Sequence, residues 1–240
     1  MNSLRSVVLL ARTLLFRLGL AFYTVVCGGI CVVVAFPLPF KYRMMVISQW
    51  LRGILIWLRL SCGVSHRVVG GGNIPDEACV ILCKHSSTWE TLSMTLLFDM
   101  PAVISKKSLL KIPIFGGLFA MCRPIAIDRE QSTSALKEVL KQGKARLAEG
   151  RKVLIFPEGT RVPPGQQEPY KPGGVMLAKR SRRKLLLVSH NAGLFWSDAS
   201  FLIKPGEIVV SISPLMEVGE EDIATLNETS MKWIESHTKV

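Results

Sequence analysis

The stretch Ala78-Cys-Val-Ile-Leu-Cys-Lys-His-Ser-Ser-Thr-Trp-Glu90 decides how this chain folds. Its first half, ending in Val80–Cys83, is a short apolar run with the length and composition of a buried strand. Its second half changes period and opens a helical pattern from Thr88 to Phe98. His85 falls at the junction. A strand running into a helix is the building unit of α/β folds, and side chains at that junction stand at the sheet edge where such folds place ligands.

Working outward, short apolar or β-branched runs recur at Ala102–Ile104, Pro124–Ile127, Lys152–Phe156, Lys184–Ser189 and Glu207–Ile212. Helical patterns lie between several of them. The clearest is Ser134 to Gly150, which sets Leu136, Val139, Leu140 and Leu147 on one face between a serine and a glycine. This alternation predicts an α/β domain over residues 63–240, a mixed sheet flanked by helices. Residues 157–173 carry five prolines and read as a long loop after a buried strand, a length that in compact domains is usually functional. The cluster Lys179-Arg-Ser-Arg-Arg-Lys184 reads as a solvated helix end, with a lipid-headgroup patch as the sharper alternative.

Residues 1–62 are different. Leu18 to Phe36 runs 19 residues without a charge, and Met44 to Cys62 is apolar apart from Arg52 and Arg59. Nineteen helical residues rise about 28 Å, enough to cross a hydrocarbon core. The run is longer than a signal-peptide core and lacks a small-x-small cleavage site, so it predicts an anchor. Arg52 and Arg59 lie seven apart on one face of the second segment, which suits a helix in the membrane interface. Together the two segments predict a two-helix membrane-anchoring motif. Mean hydropathy is +0.33 and formal net charge +12. A basic, membrane-leaning chain favours anionic membrane lipids over nucleic acid as partners. The six cysteines show neither metal-ligand spacing nor a disulfide framework, so neither a metal site nor an oxidising compartment is expected.

Two segments carry chemistry. Glu90, five residues after His85, can turn back and hold one imidazole nitrogen, leaving the other as a stronger base. The competing reading is structural: Ser87-Thr-Trp-Glu90 is a capping box, and Glu90 would satisfy an amide at the helix start. Ser86 or Ser87 is also a conceivable nucleophile of a membrane-associated serine lipase, although neither sits in a G-x-S-x-G elbow. His190, after another strand, reads as an interior histidine. The second segment is Phe156-Pro-Glu-Gly-Thr-Arg161, where glycine lets backbone approach a ligand and Arg161 can bond phosphate oxygens bidentately. Ser105-Lys-Lys107 and Asp128-Arg129 also lie just past strands, adding positive charge to the same sheet edge.

In this order these blocks resemble the glycerolipid acyltransferases that convert lysophosphatidate to phosphatidate, the 1-acylglycerol-3-phosphate O-acyltransferases. The blocks are His85-Ser-Ser-Thr-Trp-Glu90; Lys106 to Gly116 with Pro124-Ile-Ala-Ile-Asp-Arg129; Phe156 to Arg161; and Leu187-Val-Ser-His-Asn-Ala-Gly193. The resemblance covers roughly residues 67–215. It implies His85 as general base and Glu90 as its orienting acid, where the family usually has aspartate. It implies Lys106, Lys107, Arg129, Glu158, Gly159 and Arg161 around the substrate phosphate. Leu187, Val188 and Asn191 would help form the acyl-donor site, with Leu187 standing where proline is usual. The implied co-substrate is acyl-CoA or acyl carrier protein, with no further cofactor, and the implied acceptor is lysophosphatidate or another lysolipid. The implied location is a bacterial-type inner membrane, with the catalytic domain facing the cytoplasm.

Overall fold

Four consecutive buried residues, Val80–Cys83, form strand β2, and the equally buried Leu185–His190 forms its neighbour β6. Strands buried on both faces read as unbroken apolar runs, and both sit at the middle of the sheet. The computed structural model describes residues 3–128 and 132–238. Its sheet also contains β1 (Val64–Val69), β3 (Ala102–Lys106), β4 (Ile125–Ile127), β5 (Val153–Ile155) and β7 (Gly206–Ile212), in the order β1-β7-β6-β2-β5-β3-β4. The strands from β6 to β4 run parallel. β7 pairs antiparallel with β6, and β1 runs parallel to β7, so the sheet is mixed as expected.

Side-chain alternation along β2 divides the core in two. Cys79, Ile81 and Cys83 join a cluster with Ile47, Ile54 and Leu58 of helix α3 (Phe40–Cys62) and with Trp89 and Met94 of α4 (Trp89–Leu97). Val80 and Leu82 face a second cluster with α6 (Ser132–Ala148), α7 (Gly173–Ser181) and α8 (Ile223–Ser236). Period two along the strands thus generates three layers, helix on sheet on helix.

Each apolar run singled out in the sequence is a strand within one or two residues of its expected ends. β1 and α8 are additions. Val-Ser-His-Arg-Val-Val is half polar because β1 is an edge strand, with a burial pattern that leaves every other position or more in solvent. α8 starts at Asp222, whose Oδ1 accepts the Ala224 and Thr225 amides at 2.8 and 3.0 Å. The basic cluster is the solvated end of α7, with Lys184 paired to Glu217 at 2.8 Å.

The N-terminal segment is one apolar helix from Leu4 to Ala35, 32 residues long, and 11% of its most apolar stretch is buried. It comprises α1 (Ser3–Tyr23), a π-helical turn over Thr24–Gly28 and α2 (Gly29–Ala35). By length and composition it can cross a membrane. A short turn then reverses the chain into α3. Arg43 closes that turn by donating to the carbonyls of Ala35, Phe36 and Leu38 at 3.0–3.3 Å. Helix α3, on the N-terminal side of the expected boundary at residue 62, packs into the same core as the central strands.

The helix pair packs through reciprocal glycines. A Cβ on Gly19 would overlap the Trp57 indole, and one on Gly53 would overlap the Tyr23 hydroxyl. At Gly29 a Cβ meets nothing within 4 Å. Gly53→Ala should therefore lower thermal stability in detergent by about 1–3 kcal/mol, while Gly29→Ala should be neutral or slightly stabilising. Equal melting temperatures for the two variants would contradict this packing.

Candidate active site

His85 leaves β2 two residues after its last strand position and is almost fully buried. Its ring stacks on Phe156, with centroids 4.1 Å apart and planes 17° apart. Its Nδ1 lies 2.8 Å from Glu90 Oε1. An ionised carboxylate there fixes the proton on Nδ1 and leaves the lone pair on Nε2, and the residue lines the adjoining cavity.

Glu90 makes both of the contacts that the sequence allowed for it. The same Oε1 accepts the backbone amides of Ser86 and Ser87 at 2.9 and 2.8 Å, which is the capping function, and also the imidazole. Burial pushes the Glu90 carboxyl up, but the hydrogen bonds from the His85 ring and the Ser87 amide are among the influences that hold its pKa below the ordinary value. Beneath it, His190 is fully buried. Its Nε2 donates to the Lys84 carbonyl at 2.9 Å and its Nδ1 accepts the Ala192 amide at 3.3 Å. Burial, the largest influence, depresses its pKa, so it is a neutral interior histidine. Ser86 Oγ accepts the Gly193 amide at 3.2 Å and Ser87 Oγ the Trp89 amide at 3.0 Å. Among the described residues neither hydroxyl bonds to His85, so nothing activates either as a nucleophile.

A buried charge network underlies the junction. Lys84 Nζ lies between Glu158 Oε1 at 3.3 Å and Glu235 Oε1 at 2.6 Å. Glu158 Oε1 also accepts the His85 amide at 3.2 Å, and Tyr170 donates to Glu235 at 2.8 Å. The Val162 amide donates to the His85 carbonyl at 2.8 Å. These bonds lash the 156–162 loop and α8 to the histidine segment.

Parallel strands bring their carboxyl ends to one edge, and there His85, Lys106, Thr160 and Arg161 line a cavity of about 470 Å³. Its remaining wall is largely apolar, from Trp50 and Leu51 of α3, Leu92 of α4, Val103 and Ile104 of β3, and Leu118 of α5 (Phe115–Met121). His85, two cations and an apolar wall share one space.

The other expected positions fall elsewhere. Lys107 is exposed in a 3₁₀ turn and does not line the cavity. Arg129 lies outside the described residues. Glu158 is buried behind His85, holding Lys84. Gly159 has φ +74°, a left-handed conformation that turns the loop and so aims Arg161 at the mouth. Leu187 and Val188 are in the sheet core, and Asn191 Oδ1 accepts the Val209 amide at 2.9 Å; none of the three lines the cavity with His85. Sequence reasoning missed Asp198, which bonds Arg161, and Glu235. Neither sits in a recognisable motif, and their partners lie 37 and 151 residues away.

A carboxylate-held histidine that shares a largely apolar cavity with two cations suits an amphipathic, anionic ligand. The model of the family described as Acyltransferase matches residues 65–191, and the chain belongs to that family. It is 42% identical over 228 residues to the 1-acyl-sn-glycerol-3-phosphate acyltransferase of Pseudomonas aeruginosa, covering 93% of this chain and 88% of that protein. It is 30% identical over 175 residues to the enzyme of the same name from Borreliella burgdorferi, covering 72% and 66%. The fold matches the crystal structure of the 1-acyl-sn-glycerophosphate acyltransferase PlsC from Thermotoga maritima, with a TM-score of 0.82 and 23% identity over 98% of this chain and 96% of that one.

Burial raises the Glu158 carboxyl to about 7, against the opposing pull of Lys84 and the His85 amide. The folded protein thus holds this proton more tightly than a chain titrating at 4.5, so the group's stabilising contribution is complete below 4.5 and is lost as pH rises through about 7. Glu158→Gln should remove that fall. Melting temperature against pH for the two proteins should diverge in slope across this window; parallel curves would exclude Glu158 as the titrating group.

Proposed function

We propose that this protein transfers a fatty acyl group from a thioester donor to the sn-2 hydroxyl of lysophosphatidate, giving phosphatidate for phospholipid synthesis. One observation carries the reading: a histidine whose Nδ1 is held at 2.8 Å by Glu90 shares a largely apolar cavity with Lys106 and Arg161. The relatives named above support the same acceptor.

In the proposed reaction His85 Nε2 removes the proton of the sn-2 hydroxyl. The oxygen attacks the thioester carbonyl, forming the new ester bond as the carbon–sulfur bond breaks. The imidazolium returns its proton to the departing thiolate. Glu90 stabilises that imidazolium, as a buried carboxylate already bonded to the ring can do without rearranging. Lys106 and Arg161 hold the phosphate, with Gly159 shaping the loop, so that hydroxyl and base meet. Lys107, exposed in the 3₁₀ turn after β3, adds positive charge beside this site in the proposal. The donor is acyl-CoA or acyl carrier protein, received near the β6 end where Asn191 lies, and no metal or cofactor takes part.

Location follows from the substrate. A lysolipid resides in a membrane, and the helix Leu4–Ala35 would keep the cavity beside it, on the cytoplasmic face of a bacterial inner membrane. The basic surface would favour anionic lipids.

The test is phosphatidate formation by purified protein supplied with lysophosphatidate and either thioester donor. His85→Ala should lower kcat by about a thousandfold or more while remaining folded. Lysophosphatidate turnover by wild type that survives intact in His85→Ala would sink the histidine-base mechanism. Inactivity with both donors would shift the acceptor to another lysolipid.

A further inference from the structure

Ser105 lines the cavity that holds His85 and is 5% exposed, yet its Oγ has no hydrogen-bond partner among the described residues. It is the fourth residue of β3, and alternation along the strand puts it on the face of Val103. That face packs with Ile47, Trp50 and Leu51 of α3 and Leu92 of α4, which are also cavity wall. Its register neighbour on β4 is Ala126, whose methyl offers no acceptor. The hydroxyl therefore stands in the space between sheet and helices, one residue before Lys106.

Neighbouring hydroxyls are occupied. Thr91 Oγ1 donates to the Thr88 carbonyl at 2.6 Å and Thr95 Oγ1 to the Thr91 carbonyl at 2.7 Å. Among the described residues, two other buried donors on the cavity lack partners. Arg161 Nε belongs to the proposed phosphate clamp, and Trp50 Nε1 lies against the π-helical turn, 3.3 Å from where a Cβ on Gly28 would stand. Ser105 Oγ remains. A buried hydroxyl left unpaired is costly, so a ligand that brings an acceptor to it is favoured.

The order of the strands indicates which acceptor. β2, β5 and β3 are successive, so His85, Phe156 and Ser105 follow one another along the carboxyl edge, with His85 stacked on Phe156. At about 4.8 Å per strand, about 10 Å separates the backbones of His85 and Ser105. Ser105 thus serves a different group of the substrate from the hydroxyl that His85 deprotonates. Lysophosphatidate carries a phosphate, a free hydroxyl and an ester on its three glycerol carbons. Lys106 and Arg161 take the phosphate and His85 the hydroxyl, which leaves the ester carbonyl. That carbonyl lies where headgroup gives way to hydrocarbon, as Ser105 lies between Lys106 and the apolar Val103 and Ile104.

We infer that Ser105 is a specificity residue that donates a hydrogen bond to the sn-1 ester carbonyl of the acceptor, so that the site favours acyl lysolipids over their alkyl-ether analogues. The inference rests on lysophosphatidate as the acceptor, proposed above, and adds recognition of how its chain is attached. An ether has no carbonyl, and its binding leaves the buried hydroxyl unpaired.

The experiment measures kcat/KM for palmitoyl lysophosphatidate and its O-hexadecyl ether analogue, in the same micelles with the same thioester donor, for wild type, Ser105→Ala and Ser105→Thr. Wild type should prefer the ester by about three- to tenfold, the range of one neutral hydrogen bond. Ser105→Ala should lose most of that factor on the ester and change by less than about twofold on the ether. Ser105→Thr keeps a hydroxyl and should retain the preference. The melting temperature of Ser105→Ala without ligand should be unchanged or higher, because the hydroxyl it removes has no partner; a hydroxyl with a structural role would lower it. An ester preference unchanged in Ser105→Ala overturns the inference. So does an equal loss on both substrates, which in kcat would move Ser105 to the thioester carbonyl and in KM to the phosphate. Wild-type inactivity on lysophosphatidate with either donor sinks the acceptor reading and the inference with it, a failure visible before any variant is compared.

Discussion

Glu90 is completely buried, and a buried carboxylate is tolerable only if hydrogen bonds replace its lost hydration. Three donors converge on one oxygen: the His85 ring and the amides of Ser86 and Ser87. The bond that starts the helix and the bond that orients the His85 ring are therefore made by the same atom. This couples local folding to the site, because the junction cannot take its shape without placing the imidazole. Its surroundings follow from that constraint. His190 packs below as a neutral ring, and the Lys84, Glu158 and Glu235 network anchors the backbone on either side.

The second organising feature is the double use of α3. Ile47, Ile54 and Leu58 pack into the same core as the central strands, while Ile47, Trp50 and Leu51 form part of the cavity wall. The helix that pairs with the long apolar segment is thus also a wall of the site. A cavity built this way is amphipathic by construction, with strand-end cations on one side and apolar helix side chains on another. An acyl chain with a phosphate headgroup has the complementary distribution.

How much was legible depended on the range of the interactions. The apolar stretches Val80–Cys83 and Leu185–Val188 announced strands because full burial on both faces demands unbroken apolar sequence. Edge strand β1 escaped notice since solvent on one side allows Ser65, His66 and Arg67 within it. His85 and Glu90 were readable because their contact is five residues long. Glu158 and Leu187 illustrate the opposite case: a motif position specifies proximity in sequence, while the direction of the side chain is set by which sheet face or loop side it occupies. Glu158 turns inward to a lysine and Leu187 into the core.

By itself the sequence determined the α/β architecture of a mixed sheet flanked by helices, the apolar N-terminal segment and the nearness of Glu90 to His85. Each arises from period, composition or a contact within one helical turn, and such local constraints survive in a linear string. Tertiary structure alone decided that α3 belongs to the core, that Lys106 and Arg161 meet His85 in one cavity while Lys107 stays outside, and that Asp198 sits on Arg161. Those relations join segments tens of residues apart, and only the order and direction of the strands bring them to the same edge.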